Sequence, residues 1–253
     1  MRILYFLYVI IIALPIFLVL TILTALITML GCLIGSPKFW GYHPGKLWSK
    51  ATCTILLLPI KVTGREKLDK NKSYVFVANH QGAFDIFLIY GYLHRNFKWM
   101  MTKGLKKIPF VGKACDSAGH IFVDRSGPRK IQEMISKAKS SLVNGVSVVV
   151  FPEGSRSFTG HMGYFKRGAF QLANDLELDV VPITINGSFD TMPRTKYIPS
   201  WSRLELIIHD PIPFTEKGAT AVKQTLDTAY DVIESALPDH YKGMVVNEDQ
   251  EVF

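Results

Sequence analysis

The 253 residues include 29 lysines and arginines against 21 aspartates and glutamates, a net charge of +8, and 48% are hydrophobic. That length suffices for one anchor plus one domain of about 200 residues with a full core. Zinc-finger spacing, an RNP-like motif and a long basic run are all missing, so nucleic acid is set aside; anionic lipid headgroups and a phosphorylated ligand account for the charge.

The chain opens on an apolar run. No charged residue lies between Arg2 and Lys38, and one straight helix over Ile3 to Ile34 would measure about 50 Å against a hydrocarbon core of about 30 Å. The run is far too long for a signal peptide and no small-residue cleavage site follows it. Two forms remain, a single tilted span or a two-helix hairpin within one leaflet; Pro15 can kink the run, and Gly31 and Gly35 mark its end. The single span is the expectation. Lys38, Lys46 and Lys50 follow closely, interleaved with Phe39, Trp40, Tyr42 and Trp48, which is the make-up of a membrane–water interface. Basic excess on this flank places the rest of the chain on the cytoplasmic side of the membrane. Cys32, Cys53 and Cys115 have neither metal nor redox spacing and read as reduced core or lipid-facing residues, in keeping with a cytosolic domain.

Beyond the anchor (residues 1–36) and its interfacial linker (37–54), short β-branched runs alternate with helical patterns. Strands are predicted at Ile60–Thr63, Tyr74–Ala78, Lys98–Met101, His120–Val123, Ser147–Phe151, Val180–Ile185 and Leu204–His209. Helices are predicted near Ala83–Leu93, Pro128–Val143, Lys166–Leu176 and Ala219–Ala236. The last places Val222, Leu226, Ala229, Ile233 and Ala236 on one face, a core-packing stripe. The order predicts a single α/β domain over residues 55–243, with helices on a central, largely parallel sheet. A loose tail covers residues 244–253.

The most informative segment follows the second strand, Asn79-His80-Gln81-Gly82-Ala83-Phe84-Asp85. On one helix, five steps of about 100° would turn His80 and Asp85 away from each other. His80 must therefore sit in the turn before the helix, with Gly82 easing the bend, for Asp85 to reach back to the imidazole. A carboxylate on one ring nitrogen fixes the tautomer and raises the basicity of the other nitrogen, which makes a general base. No Gly-x-Ser-x-Gly elbow occurs in the chain, so the base has no enzymic serine to activate. It could instead deprotonate a hydroxyl on a substrate. A metal site at His80 and Asp85 would lack a third ligand.

A second loop, Phe151-Pro152-Glu153-Gly154-Ser155-Arg156-Ser157, ends an apolar strand with a carboxylate, a glycine, two hydroxyls and an arginine. Arg156 offers a planar fork suited to phosphate, and Gly154 lets the backbone approach closely. Between the two lies Gly119-His120-Ile121-Phe122-Val123-Asp124-Arg125. Lys166 and Arg167, at a helix start after that loop, read equally as a solvated first turn, as added charge near a bound ligand, or as part of the membrane face.

These segments, with Val181-Pro182-Ile183, occur in the order of the four sequence blocks of the glycerolipid acyltransferases. Over roughly residues 55 to 210 the chain resembles that family, most closely its bacterial lysophosphatidate acyltransferases; Ser155 stands where threonine is more usual, and keeps the hydroxyl. The resemblance implies that His80 takes the proton from the acceptor hydroxyl and that Asp85 orients it. It implies that Arg125, Glu153, Gly154, Ser155 and Arg156 hold the glycerol phosphate, with Lys103 near the phosphate or the oxyanion. It implies direct acyl transfer from acyl-coenzyme A or acyl carrier protein to the free hydroxyl of 1-acylglycerol-3-phosphate, with no cofactor, no metal and no covalent acyl-enzyme. The other readings are a different acceptor, glycerol phosphate or a lyso-aminolipid, and a membrane lipid-binding protein without chemistry.

Overall fold

The structure, a computed structural model, describes residues 2–123, 127–142 and 145–244. The sheet strands are β1 (Ile60–Thr63), β2 (Val75–Ala78), β3 (Phe97–Thr102), β4 (Ile121–Val123), β5 (Ser147–Val150), β6 (Val180–Asn186) and β7 (Leu204–Ile208). Each lies where the hydrophobic pattern predicts it, to within one residue at either end. Their order is β1-β7-β6-β2-β5-β3-β4, and every pairing is parallel except β6 with β7.

The helices are α1 (Arg2–Tyr8), α2 (Leu14–Ile34), α3 (Pro37–Trp40), α4 (His43–Ile55), α5 (Phe84–Tyr92), α6 (Val111–Ser117), α7 (Pro128–Ser141), α8 (Gly168–Leu176), α9 (Ser188–Thr191) and α10 (Ala219–Ser235). They cover both faces of the sheet. The period-2 alternation of a strand decides which core each side chain enters. From β2, Phe76 and Ala78 enter the core under α4 and α5, while Val75 and Val77 enter the one under α8 and α10. Central parallel strands are apolar on both faces for this reason, and all four residues of β2 and of β5 are buried.

The N-terminal run is one continuous helical rod, α1 and α2 joined by a π-helical turn at Val9–Ala13. Pro15 has no amide proton and its ring crowds the carbonyl one turn back. The chain accommodates it by widening the preceding turn, where the Leu14 amide bonds Val9 O. Ile3–Ile34 is long and apolar enough to cross a membrane. The rod folds back on α4, which the sequence pattern places in an irregular linker. Trp48 Nε1 donates to Thr21 Oγ1 at 2.9 Å, Phe17 packs tilted against Trp48 and edge-on to Phe87, and Gly31 packs on the Trp40 ring. One face of the rod is therefore held by the domain, and Ile3, Leu4, Ile11, Leu18, Val19 and Leu30 project from the other.

The helical character of α4 is hidden because its buried face is built of small and polar residues, Ser49, Thr52 and Cys53. Those allow a close approach to α5: a Cβ on Gly45 would come within 2.6 Å of the Tyr90 ring.

Candidate active site

Parallel pairing brings the carboxyl ends of β2, β5 and β3 to one edge of the sheet, and ligand groups collect at such edges. His80 follows β2, the loop of Glu153 to Ser157 follows β5, and Lys103 follows β3. Asn79 extends β2 through its side chain, accepting from the Ile185 amide and donating to the Ile185 carbonyl at 2.8 and 2.9 Å. The turn that carries His80 is thus tied to β6.

His80 lies in that turn and Asp85 in the first turn of α5, as the five-residue spacing requires. Asp85 Oδ2 accepts from His80 Nδ1 at 2.7 Å and from the Gly82 amide at 2.9 Å. An ionised carboxylate only accepts, so Nδ1 carries the proton and Nε2 holds the lone pair. The Asp85 side chain is wholly buried, whereas that of His80 keeps 14% exposure, so the imidazole is the member of the pair that can meet a substrate. Its ring lies flat on Phe151, centroids 3.9 Å apart and planes within 9°, and Trp99 stacks on Phe151 in turn. Gly82 matters for space: a Cβ there would come within 2.3 Å of Ser188 O. Among the described residues, no serine, threonine or cysteine side chain is hydrogen-bonded to His80.

Glu153 does not face solvent. Its carboxylate is buried and accepts from two main-chain amides, His80 N–H at 2.6 Å and Gly163 N–H at 2.9 Å. The Ser157 amide donates to His80 O at 2.8 Å. Both polar groups of the His80 backbone are therefore held by the loop that follows β5. Burial pushes the Glu153 carboxyl up to about 8, against the opposing pull of the two amides. The contact with the acceptor that the resemblance implies for Glu153 is not the one this geometry favours: its oxygens are spent on the backbone of the base.

Ser157 at the end of the loop is buried and accepts from the Thr159 and Gly160 amides, whereas the middle of the loop is open. Gly154 and Ser155 are exposed, and Arg156 is half-buried with no hydrogen-bond or ion-pair partner among the described residues. Gly154 has φ +82°, a conformation that suits glycine, and Lys166 Nζ lies 2.9 Å from where its Cβ would stand. Lys166 thus joins the loop at close range. Lys103 is exposed at the end of β3, two strands from β2 and so on the order of 10 Å away laterally. Arg125 lies outside the described residues. Among the described residues, no group of three or more His, Cys, Asp or Glu side chains is placed to hold a metal ion.

Fold and site together define an α/β domain with a buried-carboxylate–histidine base at a parallel sheet edge, beside a cationic glycine loop. The sequence matches the model of the Acyltransferase family over residues 59–186. It is 32% identical over 199 residues to a 1-acyl-sn-glycerol-3-phosphate acyltransferase of Chlamydomonas reinhardtii, covering 78% of this chain and 58% of that protein. It is 35% identical over 172 residues to a chloroplastic 1-acyl-sn-glycerol-3-phosphate acyltransferase of Arabidopsis thaliana, covering 66% and 47%. The chain therefore spans about half the length of these curated relatives. The crystal structure of the 1-acyl-sn-glycerophosphate acyltransferase of Thermotoga maritima superposes with a TM-score of 0.74 at 25% identity, covering 92% of this chain and 95% of that one. The chain belongs to the glycerolipid acyltransferase family.

Proposed function

We propose that this protein transfers a fatty acyl group from acyl-coenzyme A or acyl carrier protein to the free secondary hydroxyl of 1-acylglycerol-3-phosphate, giving phosphatidate. The observation that carries the reading is the His80–Asp85 pair, fixed as a base with no enzymic nucleophile bonded to it among the described residues, beside a loop whose Arg156 has no partner among them. His80 Nε2 takes the acceptor's hydroxyl proton as the oxygen attacks the thioester carbonyl. The C–S bond breaks, the thiolate leaves, and the imidazolium returns the proton to it. Asp85 holds the ring in the productive tautomer and stabilises the transient imidazolium. The relatives named for this activity support the same acceptor.

Arg156, with Lys166 over Gly154 and Lys103 at the end of β3, supplies positive charge for the acceptor phosphate, to which the family resemblance adds Arg125. The exposed face of the N-terminal rod rests in the membrane, with the sheet on the cytoplasmic side of the inner membrane, so that a lipid acceptor reaches the site from the bilayer. The apolar side chains along that face, and Lys46 and Lys50 on α4, support this placement.

Purified protein given each lyso-lipid with each donor, with products identified by mass, tests the reading. Phosphatidate from 1-acylglycerol-3-phosphate is expected. Acylation of glycerol phosphate or a lyso-aminolipid alone would replace the acceptor, and no product from any pair would reject the enzyme. Arg156→Ala should raise the apparent KM for the acceptor about 10- to 150-fold, the worth of a charged hydrogen bond, and leave the donor KM nearly unchanged. Arg156→Lys should recover little of that loss, because an ammonium lacks the two-pronged fork. If the donor KM rose instead, the loop would belong to the thioester.

A further inference from the structure

The C-terminal end of α4 is finished in an unusual way. Past the helix, the amides of Leu56, Leu58 and Leu57 bond the carbonyls of Thr52, Cys53 and Thr54. The next three carbonyls are each taken by an aromatic side chain from elsewhere in the chain. Tyr8 Oη donates to Ile55 O at 2.7 Å, Tyr5 Oη to Leu56 O at 2.9 Å, and Trp201 Nε1 to Leu57 O at 2.9 Å. A helix end in water needs no such provision, since water satisfies its last carbonyls. In hydrocarbon an unsatisfied carbonyl costs several kcal/mol, and protein donors must replace the water.

The surroundings agree with that reasoning. Leu57 is 61% exposed, Trp201 53% and Tyr197 89%, and Leu57 and Trp201 meet the start of the rod through the capped carbonyls of residues 55–57. The loop between β6 and β7 carries Arg194, Lys196 and Arg203 beside these aromatics, and no acidic residue occurs between Asp190 and Glu205. Amphipathic aromatics among cations are the composition of a bilayer interface with anionic headgroups. The loop is also rooted at the active site: Met192 O accepts from the Ala83 amide at 3.0 Å, and the Ser188 backbone packs on Gly82.

We propose that Leu57 and the loop of residues 194–203 form a second lipid-contacting element, separate in sequence from the N-terminal rod, which seats Tyr197 and Trp201 in an anionic bilayer interface. The inference rests on the membrane placement given under the proposed function. It extends the bilayer contact from the rod to the loop that is rooted at the turn bearing His80.

Tyr197→Trp in the full-length protein places a reporter on a side chain without tertiary partners, so folding is preserved. The probe is vesicles of phosphatidylglycerol and phosphatidylcholine, with and without brominated acyl chains, together with co-sedimentation of the protein. The emission added at position 197, taken as the difference from the parent protein, should shift to the blue on binding and be quenched by the brominated chains. Tyr197→Glu should lower vesicle partitioning by about tenfold, from lost apolar burial and added repulsion. If the protein co-sediments while the added emission neither shifts nor is quenched, the second contact is overturned and the membrane placement of the rod stands. If the full-length protein does not co-sediment at low salt, the membrane placement falls and this proposal with it.

Discussion

Replacing His80 with alanine should lower acyl transfer by about 10²–10⁴-fold or more while leaving the fold and membrane binding intact. The imidazole has no substitute: among the described residues its one side-chain hydrogen bond is to Asp85, and the other carboxyl group at the turn, Glu153, is taken up by main-chain amides. Truncation removes the stack on Phe151 and leaves Asp85 Oδ2 with the Gly82 amide, so the carboxylate retains a partner. Asp85→Asn should be nearly as damaging for a different reason. The asparagine amide can present an N–H to Nδ1, which would hold the proton on Nε2 and leave no lone pair toward the acceptor. Steady-state kinetics and thermal unfolding of both variants test this. Near-normal turnover in His80→Ala would sink direct attack by a deprotonated acceptor hydroxyl.

How far the sequence carries the argument depends on the range of the interaction. Strand β2 reads directly from Val75 to Ala78, because a strand buried on both faces is an unbroken apolar run. The His80–Asp85 contact is also local; its five-residue spacing admits one arrangement, with the histidine before the helix. The family resemblance rests on such short segments for the same reason. What escapes is set by long-range contact. Helix α4 carries no apolar stripe, since its buried face is Ser49, Thr52 and Cys53 against Gly91 and Tyr90, a packing that only the partner helix explains. The capping of Leu57 by Trp201 spans 144 positions. Lys166 reads as a surface charge until the chain turns back to lay it over Gly154. Glu153 is the sharpest case. The family resemblance implies a contact of Glu153 with the acceptor, and nothing local in the loop announces the two amides that occupy its carboxyl group, which belong to His80 and Gly163, 73 and 10 positions away.

Glu153→Gln should lower kcat by roughly 5- to 150-fold and leave the acceptor KM nearly unchanged. Both partners of Glu153 are N–H donors, and a glutamine has one oxygen. Its amide group must therefore face one of the two donors, leaving a buried N–H unsatisfied at a cost of about 1–3 kcal/mol. Relief comes by moving the His80 backbone or the Gly163 loop, and a shift of about 1 Å in a base is enough to cost two orders of magnitude in rate. The pH dependence of stability adds a second readout. The fold raises the Glu153 carboxyl from 4.5 to about 8, chiefly by burial, with the Asp85 charge adding a smaller push. The native state therefore favours the protonated form. The stability this contributes is complete below about 4.5 and is lost as pH rises through about 8, at up to about 1.4 kcal/mol per pH unit. A glutamine does not titrate, so the variant should show a flatter Tm between pH 5 and 8 than the parent protein. Lower kcat together with a flattened Tm profile marks a residue that positions the base through its main chain. A raised acceptor KM with unchanged kcat would return Glu153 to the glycerol phosphate, and the two amides would then be a consequence of its burial and not its role.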